Sequence, residues 1–445
     1  MKILKIYAAA IICLFCFAEN VNCAGPVVID IDQGVMKPVN ISISMCDATD
    51  GLNTSLSKII TKDLQSTFLF RAIPEAAFMQ NLRSAADRPK FGLWKTINSQ
   101  YLANIEVRSN GSTVRVSMAI YDVLSETKIG IFSISGPTSE WRKIAHMVAN
   151  NIYERITGEA GYFDTKVVYV AVEKNKRSHK KKHRIVIMDQ DGFGAKYLTN
   201  GNTLVFTPRF APNGREISFF AIMEKIVNGR HVPISGCVYR LNLITNRTEL
   251  IARIDGMTYA PRYSPDGNFL IFSRSKSGSS SIYVLDLITR KMRRLTKGNC
   301  IDTSPCYSPD GKQIVFNSDR GGSQQLYIMN SDGTNVRRLS FGRYRYATPV
   351  WSPRGDWIAF TRFGRGGFFI GVIRPDGSGE RMLASGNLVE SPTWSPNGRV
   401  IMFSHQDYRN RERIFSVDIT GYNKHEISTP HDAIDPEWST KLRMF

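Results

Sequence analysis

The sequence lacks the motifs that mark the common classes of hydrolase and metal-dependent enzyme. It contains no Gly-x-Ser-x-Gly, which excludes the usual nucleophile elbow of a serine hydrolase. Its seven histidines never fall in His-Glu-x-x-His or a similar ligand spacing. We therefore predict that the protein is not an enzyme and that it has no catalytic residues, no cofactor and no metal site.

Cysteine is also scarce once the beginning of the chain is set aside. Three of the seven cysteines lie within the first 24 residues, and the other four show no metal-ligand spacing. These four are Cys46, Cys237, Cys300 and Cys306. An oxidising compartment would permit a bridge between Cys300 and Cys306, and free, partly buried thiols are the alternative.

Only one apolar run approaches the length of a membrane span, and it lies in the first 24 residues. Residues 6–18 are apolar and follow Lys2 and Lys5. As a helix they would extend about 20 Å, which is too short for a hydrocarbon core about 30 Å thick. Residues 1–24 are therefore predicted to be a signal peptide cleaved near Cys23 or Ala24, with no membrane span elsewhere. A lipoprotein signal is the rival interpretation, although residues 20–22 form a poor lipobox.

Acidic residues are outnumbered, with 39 Asp and Glu against 58 Lys and Arg, and the formal net charge is +19. The densest basic cluster is residues 174–184, in which seven of eleven residues are Lys or Arg. Such a run can follow phosphates, but a solvated hairpin loop is the simpler explanation. Because an exported protein rarely meets nucleic acid, we expect no nucleic-acid partner, and an anionic envelope surface is the better candidate ligand for this loop.

A repeated phrase, Pro-x-aromatic-Ser/Ala, occurs six times in the C-terminal two-thirds of the chain. Its aromatic residues are spaced 53, 44, 44, 43 and 44 apart, at Phe210, Tyr263, Tyr307, Trp351, Trp394 and Trp438. In five copies a Pro-x-Gly turn follows, and an alternating apolar strand comes after the turn. Four short strands in about 44 residues are typical of a propeller blade. Asp266 and Asp310 occupy turn positions in this repeat, so we interpret them as structural rather than catalytic.

The two ends of the repeat region are complementary fragments of one blade. Residues 166–199 supply three strands without an innermost one, whereas residues 436–439 supply an innermost strand with nothing after it. We predict a six-bladed all-β propeller over residues 163–445, closed by the C-terminal strand. A solenoid fits less well, because a solenoid needs capping repeats.

The remaining part of the chain, residues 25–160, has no repeat. Periodicities predict helices over 53–70 and 140–157, and strands over 27–31, 39–44, 101–107, 114–122 and 128–135. Gly158 ends the second helix. We therefore predict a multidomain protein in which a small N-terminal α/β domain precedes the propeller.

The loops before the six Pro-x-aromatic phrases are expected to converge at one mouth of the central channel. They are residues 206–207, 257–260, 302–304, 346–348, 389–391 and 433–435. Loops held by a rigid scaffold are a common way to build a binding surface. The convergence of these loops therefore points to a function in protein binding.

The order of these parts resembles the TolB family of the bacterial Tol–Pal envelope system. Three segments carry the resemblance: Val27-Val-Ile-Asp-Ile-Asp-Gln-Gly-Val35, Trp141-Arg-Lys-Ile-Ala-His with Ile156-Thr-Gly158, and the degenerate Trp-Ser at the end of the repeats. The resemblance implies a periplasmic scaffold that binds two proteins, the peptidoglycan-associated lipoprotein Pal at the mouth and TolA through the mature N-terminus. It also implies roles in outer-membrane integrity and in envelope constriction during cell division, with other outer-membrane or periplasmic proteins as further partners.

The resemblance suggests particular residues for each partner. For Pal they are the mouth residues Met257, Ala260, Thr303, Ser304, Thr348 and Ser391. For TolA they are Val27, Val28, Ile29, Asp30, Ile31 and Asp32. Met257 stands where the family can carry His, and the mouth is expected to be more basic because Arg209, Arg262 and Arg345 lie near it. A propeller hydrolase or peptidase accessory, and a binder of anionic glycan or nucleic acid through residues 174–184, are the alternative functions.

Overall fold

A computed structural model of the chain describes residues 37–46, 51–174, 181–227, 230–254, 258–276 and 278–440. The predicted signal peptide, the strand over residues 27–31, the proposed TolA segment and Met257 lie outside these residues. None of the described helices has the length and apolar character needed to cross a membrane.

The N-terminal α/β part is a five-stranded sheet covered by helices on both faces. Its elements are β1 (Val39–Cys46), α1 (Leu52–Ser66), β2 (Phe70–Ala72), α2 (Phe91–Thr96), β3 (Tyr101–Ser109), β4 (Thr113–Asp122), β5 (Thr127–Pro137) and α3 (Trp141–Thr157), with 3₁₀ turns at Glu75–Ala77 and Thr138–Glu140. The strand order is β2-β1-β3-β4-β5, and β1 runs parallel to both β2 and β3. Gly158 ends α3 in the left-handed conformation, as predicted.

Alternation along β3 explains why both faces of this sheet are covered. Ala103 and Ile105 pack in the core formed with α1 and α3, whereas Leu102 packs on the opposite face against Trp94 of α2. The sequence pattern predicted α1 and α3 but not α2 or β2. Residue 70, which the periodicity placed at the end of α1, instead begins β2, because Phe68 takes a positive φ and ends the helix.

The C-terminal part confirms the predicted six-bladed propeller, with four antiparallel strands in each blade. Blade 1 contains β9 (Leu204–Phe210), β10 (Glu216–Val227), β11 (Arg230–Asn242) and β12 (Thr248–Ile254). Blade 2 contains β13 (Thr258–Tyr263), β14 (Phe269–Lys276), β15 (Ser279–Asp286) and β16 (Met292–Arg294). Blade 3 contains β17 (Thr303–Tyr307), β18 (Gln313–Ser318), β19 (Gln325–Asn330) and β20 (Arg337–Arg338). The long β10–β11 hairpin accounts for the one repeat spacing that exceeds the others.

Blades 4 and 5 contain β21 (Arg345–Trp351), β22 (Ile358–Gly364), β23 (Gly367–Ile373) and β24 (Arg381–Gly386); and β25 (Leu388–Trp394), β26 (Val400–Gln406), β27 (Glu412–Asp418) and β28 (His425–Ile427). Blade 6 joins the two ends of the repeat region, as predicted. It consists of β29 (Asp432–Trp438), β6 (Lys166–Lys174), β7 (Lys181–Asp189) and β8 (Lys196–Tyr197). The innermost strand β29 pairs with β6, so no blade is left with an open inner edge.

The N-terminal α/β part packs against the end of the propeller that is opposite the mouth. The guanidinium of Arg142 on α3 bridges the carboxylates of Asp189 and Asp191, which follow β7. On the same side, the Asn397 amide donates to the Ala160 carbonyl oxygen at 2.9 Å. Behind these contacts, Nδ1 of His146 lies 2.6 Å from the Asp63 carboxylate. The junction therefore combines these polar contacts with an apolar core shared by both parts, in which Tyr162 packs against Tyr153 of α3 and Trp438 of β29. None of these contacts covers the mouth.

Candidate functional site at the propeller mouth

The residue before each repeated proline has a positive φ, and these six residues form what we call the pre-proline ring. Their φ values are 46° at Thr207, 51° at Ala260, 54° at Ser304, 46° at Thr348, 55° at Ser391 and 52° at Asp435. In every blade the pairing between the two inner strands shifts register at this point. Each inner strand therefore carries a β-bulge, a feature that is common beside functional sites.

All six members of the pre-proline ring line one cavity of about 330 Å³ at the mouth of the channel. Of the predicted Pal-binding residues, the structure brings together Ala260, Thr303, Ser304, Thr348 and Ser391, which all line this cavity. The sixth, Met257, lies outside the described residues. The cavity therefore gathers residues from all six blades.

Most of the polar groups around the cavity are fixed by hydrogen bonds. The Ser391 hydroxyl donates to the Asp435 carboxylate at 2.8 Å, and the Asn317 amide donates to the Thr303 hydroxyl at 2.8 Å. The hydroxyls of Thr348 and Thr361 lie 2.8 Å apart. Side chains held in this way present a pre-organised surface, which reduces the entropy lost on binding.

Below the pre-proline ring, two arginines share one carboxylate. Arg262 Nη1 lies 3.2 Å from Glu437 Oε1, and Arg209 Nε lies 3.5 Å from Glu437 Oε2. The side chains of both arginines are almost fully buried, at 6% and 13% exposure. Glu437 belongs to the closing strand β29, so this carboxylate links blade 6 to blades 1 and 2.

The burial of these charges perturbs their ionisation. Burial and the neighbouring charge of Arg262 lower the pKa of Arg209 to about 10. Burial opposes the charged form of Arg262 as well, but the Glu437 carboxylate more than compensates and raises the pKa of Arg262 above its ordinary value. Glu437 therefore stabilises the charged forms of both arginines inside the channel.

Of the three arginines behind the expectation of a more basic mouth, Arg209 and Arg262 line the mouth cavity. Arg209 and Arg262 point into the channel, where Glu437 counters their charge, and only Arg345 is exposed at the rim. Glu437 was not among the predicted functional residues. Its only sequence signal is the presence of an acid within the last repeat, at a position that holds Arg, Cys, Val or Thr in the others.

An acidic side chain next to the ring is partly protonated at neutral pH. Burial, reinforced by the carboxylates of Asp435 and Glu412, raises the pKa of Glu390 to about 7. Glu390 directly precedes Ser391 of the pre-proline ring. The charge of this part of the mouth therefore changes near neutral pH.

The repeated aspartates act as turn residues in the structure. The Asp266 carboxylate accepts hydrogen bonds from the Ser264 hydroxyl at 2.5 Å and from the backbone N–H of Asn268 at 3.1 Å. Asp310 makes the equivalent bonds, with distances of 2.6 Å to Ser308 and 3.0 Å to Lys312. These hydrogen bonds lower the pKa of each aspartate, as expected for a carboxylate that stabilises a turn.

The structure also describes two other features of the sequence, the Cys300 and Cys306 pair and part of the basic cluster 174–184. Cys300 and Cys306 are free thiols, so the bridge that their spacing permits is not formed. Residues 175–180 of the basic cluster lie outside the described residues, while Lys174 and residues 181–184 lie in the β6–β7 hairpin at the mouth end. Lys174 is paired with Asp432 at 2.9 Å, and Arg184 is paired with Glu173.

Comparison with known proteins decides the family. Residues 153–442 match the family model described as the TolB beta propeller domain, and residues 27–129 match the TolB amino-terminal domain. The chain belongs to the TolB family. The "Tol-Pal system protein TolB" of Rickettsia africae (strain ESF-5) is 48% identical over 432 residues, which cover 93% of this chain and 95% of that protein. That of Rickettsia canadensis (strain McKiel) is 47% identical over 433 residues, with the same coverage.

A solved structure supports the same assignment. The crystal structure of TolB from Acinetobacter baumannii superposes with a TM-score of 0.80 at 25% sequence identity. It covers 91% of this chain and 98% of that one. The TolB fold therefore extends over both parts of the chain.

Proposed function

We propose that this TolB-family protein is a periplasmic scaffold of the Tol–Pal system that binds Pal at the propeller mouth. The observation that supports the proposal best is the convergence of the pre-proline ring on one cavity, at the end of the propeller opposite the described residues of the N-terminal part. The curated relatives, named Tol–Pal system proteins, match nearly the whole chain. In this proposal the protein acts by binding and not by catalysis.

TolA is proposed as the second partner, and it binds the mature N-terminal segment 27–32. Together the two contacts would support outer-membrane integrity and envelope constriction during division. A cleaved signal peptide delivers the protein to the periplasm in this proposal.

The Pal site can be tested by filling the cavity. Ser304→Trp places a large side chain in the pre-proline ring, and it should weaken binding of soluble, unlipidated Pal by about a hundredfold or more. The matched control is Asp332→Trp, in an exposed turn at the opposite end of the propeller. Binding is measured by calorimetry, and circular dichroism melting checks that both variants fold. Equal Pal affinity in the wild type and in a folded Ser304→Trp variant would refute the proposed site.

The TolA site is tested separately. Deletion of residues 27–32 from the mature protein should abolish capture by immobilised TolA and leave Pal affinity unchanged. A deletion that leaves TolA capture intact would remove this segment from the proposal.

A further inference from the structure

An exposed surface beside the mouth, in blades 3 and 4, combines arginine and aromatic side chains. We call it the arginine–aromatic patch, and its residues are Phe341, Arg343, Tyr344, Arg345, Arg362 and Arg365. The first four lie between β20 and the start of β21, and the last two belong to the adjoining β22–β23 hairpin. The patch is therefore built by two neighbouring connections at the mouth end of the propeller.

The aromatic rings of the patch are held in place by guanidinium groups. The guanidinium carbon of Arg362 lies 4.4 Å from the centre of the Tyr344 ring, and that of Arg338 lies 5.1 Å from the Phe341 ring. The rings nevertheless remain available to a partner, since Phe341 is 74% exposed and Tyr344 is 37% exposed. Arg, Tyr and Phe are the residue types enriched at the centres of protein interfaces.

The charge of the patch is largely uncompensated. Arg343, Arg345 and Arg365 are exposed, and none of them forms an ion pair within the described part of the chain. The Glu380 carboxylate accepts a hydrogen bond from the Tyr346 hydroxyl at 2.9 Å and lies 3.5 Å from Arg362. Three guanidinium groups are therefore free to bind carboxylates, for which their planar fork is well shaped.

The patch is continuous with the proposed Pal site. Arg345 begins β21, and Thr348 of the pre-proline ring follows three residues later on the same strand. Backbone pairing of Arg345 with Phe363 ties the two connections of the patch together. A protein that fills the mouth cavity and buries an interface of ordinary size, about 800 Å² on each partner, extends beyond the cavity, and this surface adjoins it.

We propose that the arginine–aromatic patch binds an acidic segment of the protein that occupies the mouth. The proposal rests on the proposed function and adds the chemistry of the partner. Carboxylates of the partner pair with Arg343, Arg345 and Arg365, and apolar side chains of the same segment pack on Phe341 and Tyr344. A protein is favoured over an anionic lipid or glycan because the patch is rigid and joins the mouth cavity.

The test uses the mature protein and soluble Pal from the same bacterium. The patch variant Arg343→Gln/Arg345→Gln/Arg365→Gln removes three positive charges. The control variant Arg247→Gln/Lys291→Gln/Lys312→Gln removes the same charge from exposed turns at the opposite end of the propeller. Association and dissociation rates are measured by surface plasmon resonance at about 50 mM and about 500 mM salt, where screening lengths differ about threefold.

We expect the patch variant to associate roughly tenfold more slowly than the control variant at low salt, because charges at the rim of an interface act mainly on the association rate. The difference should shrink at high salt. A second variant, Tyr344→Ala, should raise the dissociation rate several-fold at both salt concentrations.

Each result has a distinct meaning. If wild-type protein fails to bind Pal at all, the proposed function is wrong, and the acidic partner proposed here falls with it. If wild-type, patch and control proteins bind Pal with the same rates, the patch is not part of the interface, although the mouth site stands. If the patch variant loses only its binding to vesicles with about a third anionic phospholipid, the occupant is a membrane surface and the proposal is overturned.

Discussion

Removal of the Glu437 carboxylate is the sharpest test of how the ring is held closed. The carboxylate lies between Arg209 of blade 1 and Arg262 of blade 2, and its backbone belongs to the closing strand β29. In a Glu437→Ala variant, two buried guanidinium groups would face each other without the charge that compensates them. The Thr393 hydroxyl would also lose its acceptor, which is 3.3 Å away in the wild type.

The expected size of the effect follows from the burial of the group. Removing one partner of a buried ion pair costs about 3–5 kcal/mol. Asp435 also stabilises both arginines electrostatically and the cavity above them is open, so we take the lower end of this range, about 3 kcal/mol. For a protein of this size, such a loss lowers the melting temperature by roughly 3 °C.

Urea unfolding followed by tryptophan fluorescence gives the measurement. Glu426→Ala is the control, because Glu426 is half exposed and lies 3.5 Å from Arg413, so its loss should cost less than about 1 kcal/mol. Adding Arg209→Met to the Glu437→Ala variant removes the repulsion and should recover part of the lost stability. The reasoning is refuted if Glu437→Ala is no more destabilising than Glu426→Ala, or if the second substitution only adds to the loss.

Three further predictions concern individual residues. Burial, reinforced by Asp435, raises the pKa of Glu390 from 4.5 to about 7 on folding, so wild-type stability falls as the pH rises from about 4.5 to about 7. The free energy of unfolding of Glu390→Gln, measured with urea and compared with that of the wild type, should therefore be about 1–3 kcal/mol more favourable at pH 8 than at pH 4. An equal difference between the two proteins at both pH values would contradict this. Thr207→Gly should stabilise the protein by about 1 kcal/mol, because glycine accepts the φ of 46° without strain; an unchanged melting curve would argue against strain. Arg142→Met should cost at most about 3 kcal/mol, because the carboxylates of Asp189 and Asp191 would keep only their lysine partners, against less than about 1 kcal/mol for the partly exposed Lys143→Met control.

The architecture of the propeller could be predicted because it repeats. Six copies of the Pro-x-aromatic phrase fix the number of blades, and the complementary fragments at residues 166 and 438 fix how the ring closes. Helices α1 and α3 could also be predicted from their apolar stripes. By contrast, α2 has only six residues, and β2 has three, so neither is long enough to show a periodicity.

The details of the mouth could be predicted only in part. The repeat identified which residues converge there, since their place before the proline is the same in each blade. It could not show that Arg209 and Arg262 turn inwards, because alternation along a strand is interrupted by the bulge. The positive φ of Thr348 is also unexpected from its type, since β-branched residues rarely adopt that conformation. Both features belong to the bulge that recurs in the innermost strand of every blade.

The pairing of β29 with β6 has a consequence for the biosynthesis of the protein. The two strands are separated by most of the chain, so blade 6 cannot be completed until nearly all of the polypeptide has been synthesised. A product that terminates before residue 432 would retain the other three strands of that blade with β6 exposed along its edge. Such an edge favours aggregation and degradation. Full-length molecules therefore differ from truncated ones in having the edge of β6 covered by the last strand of the chain.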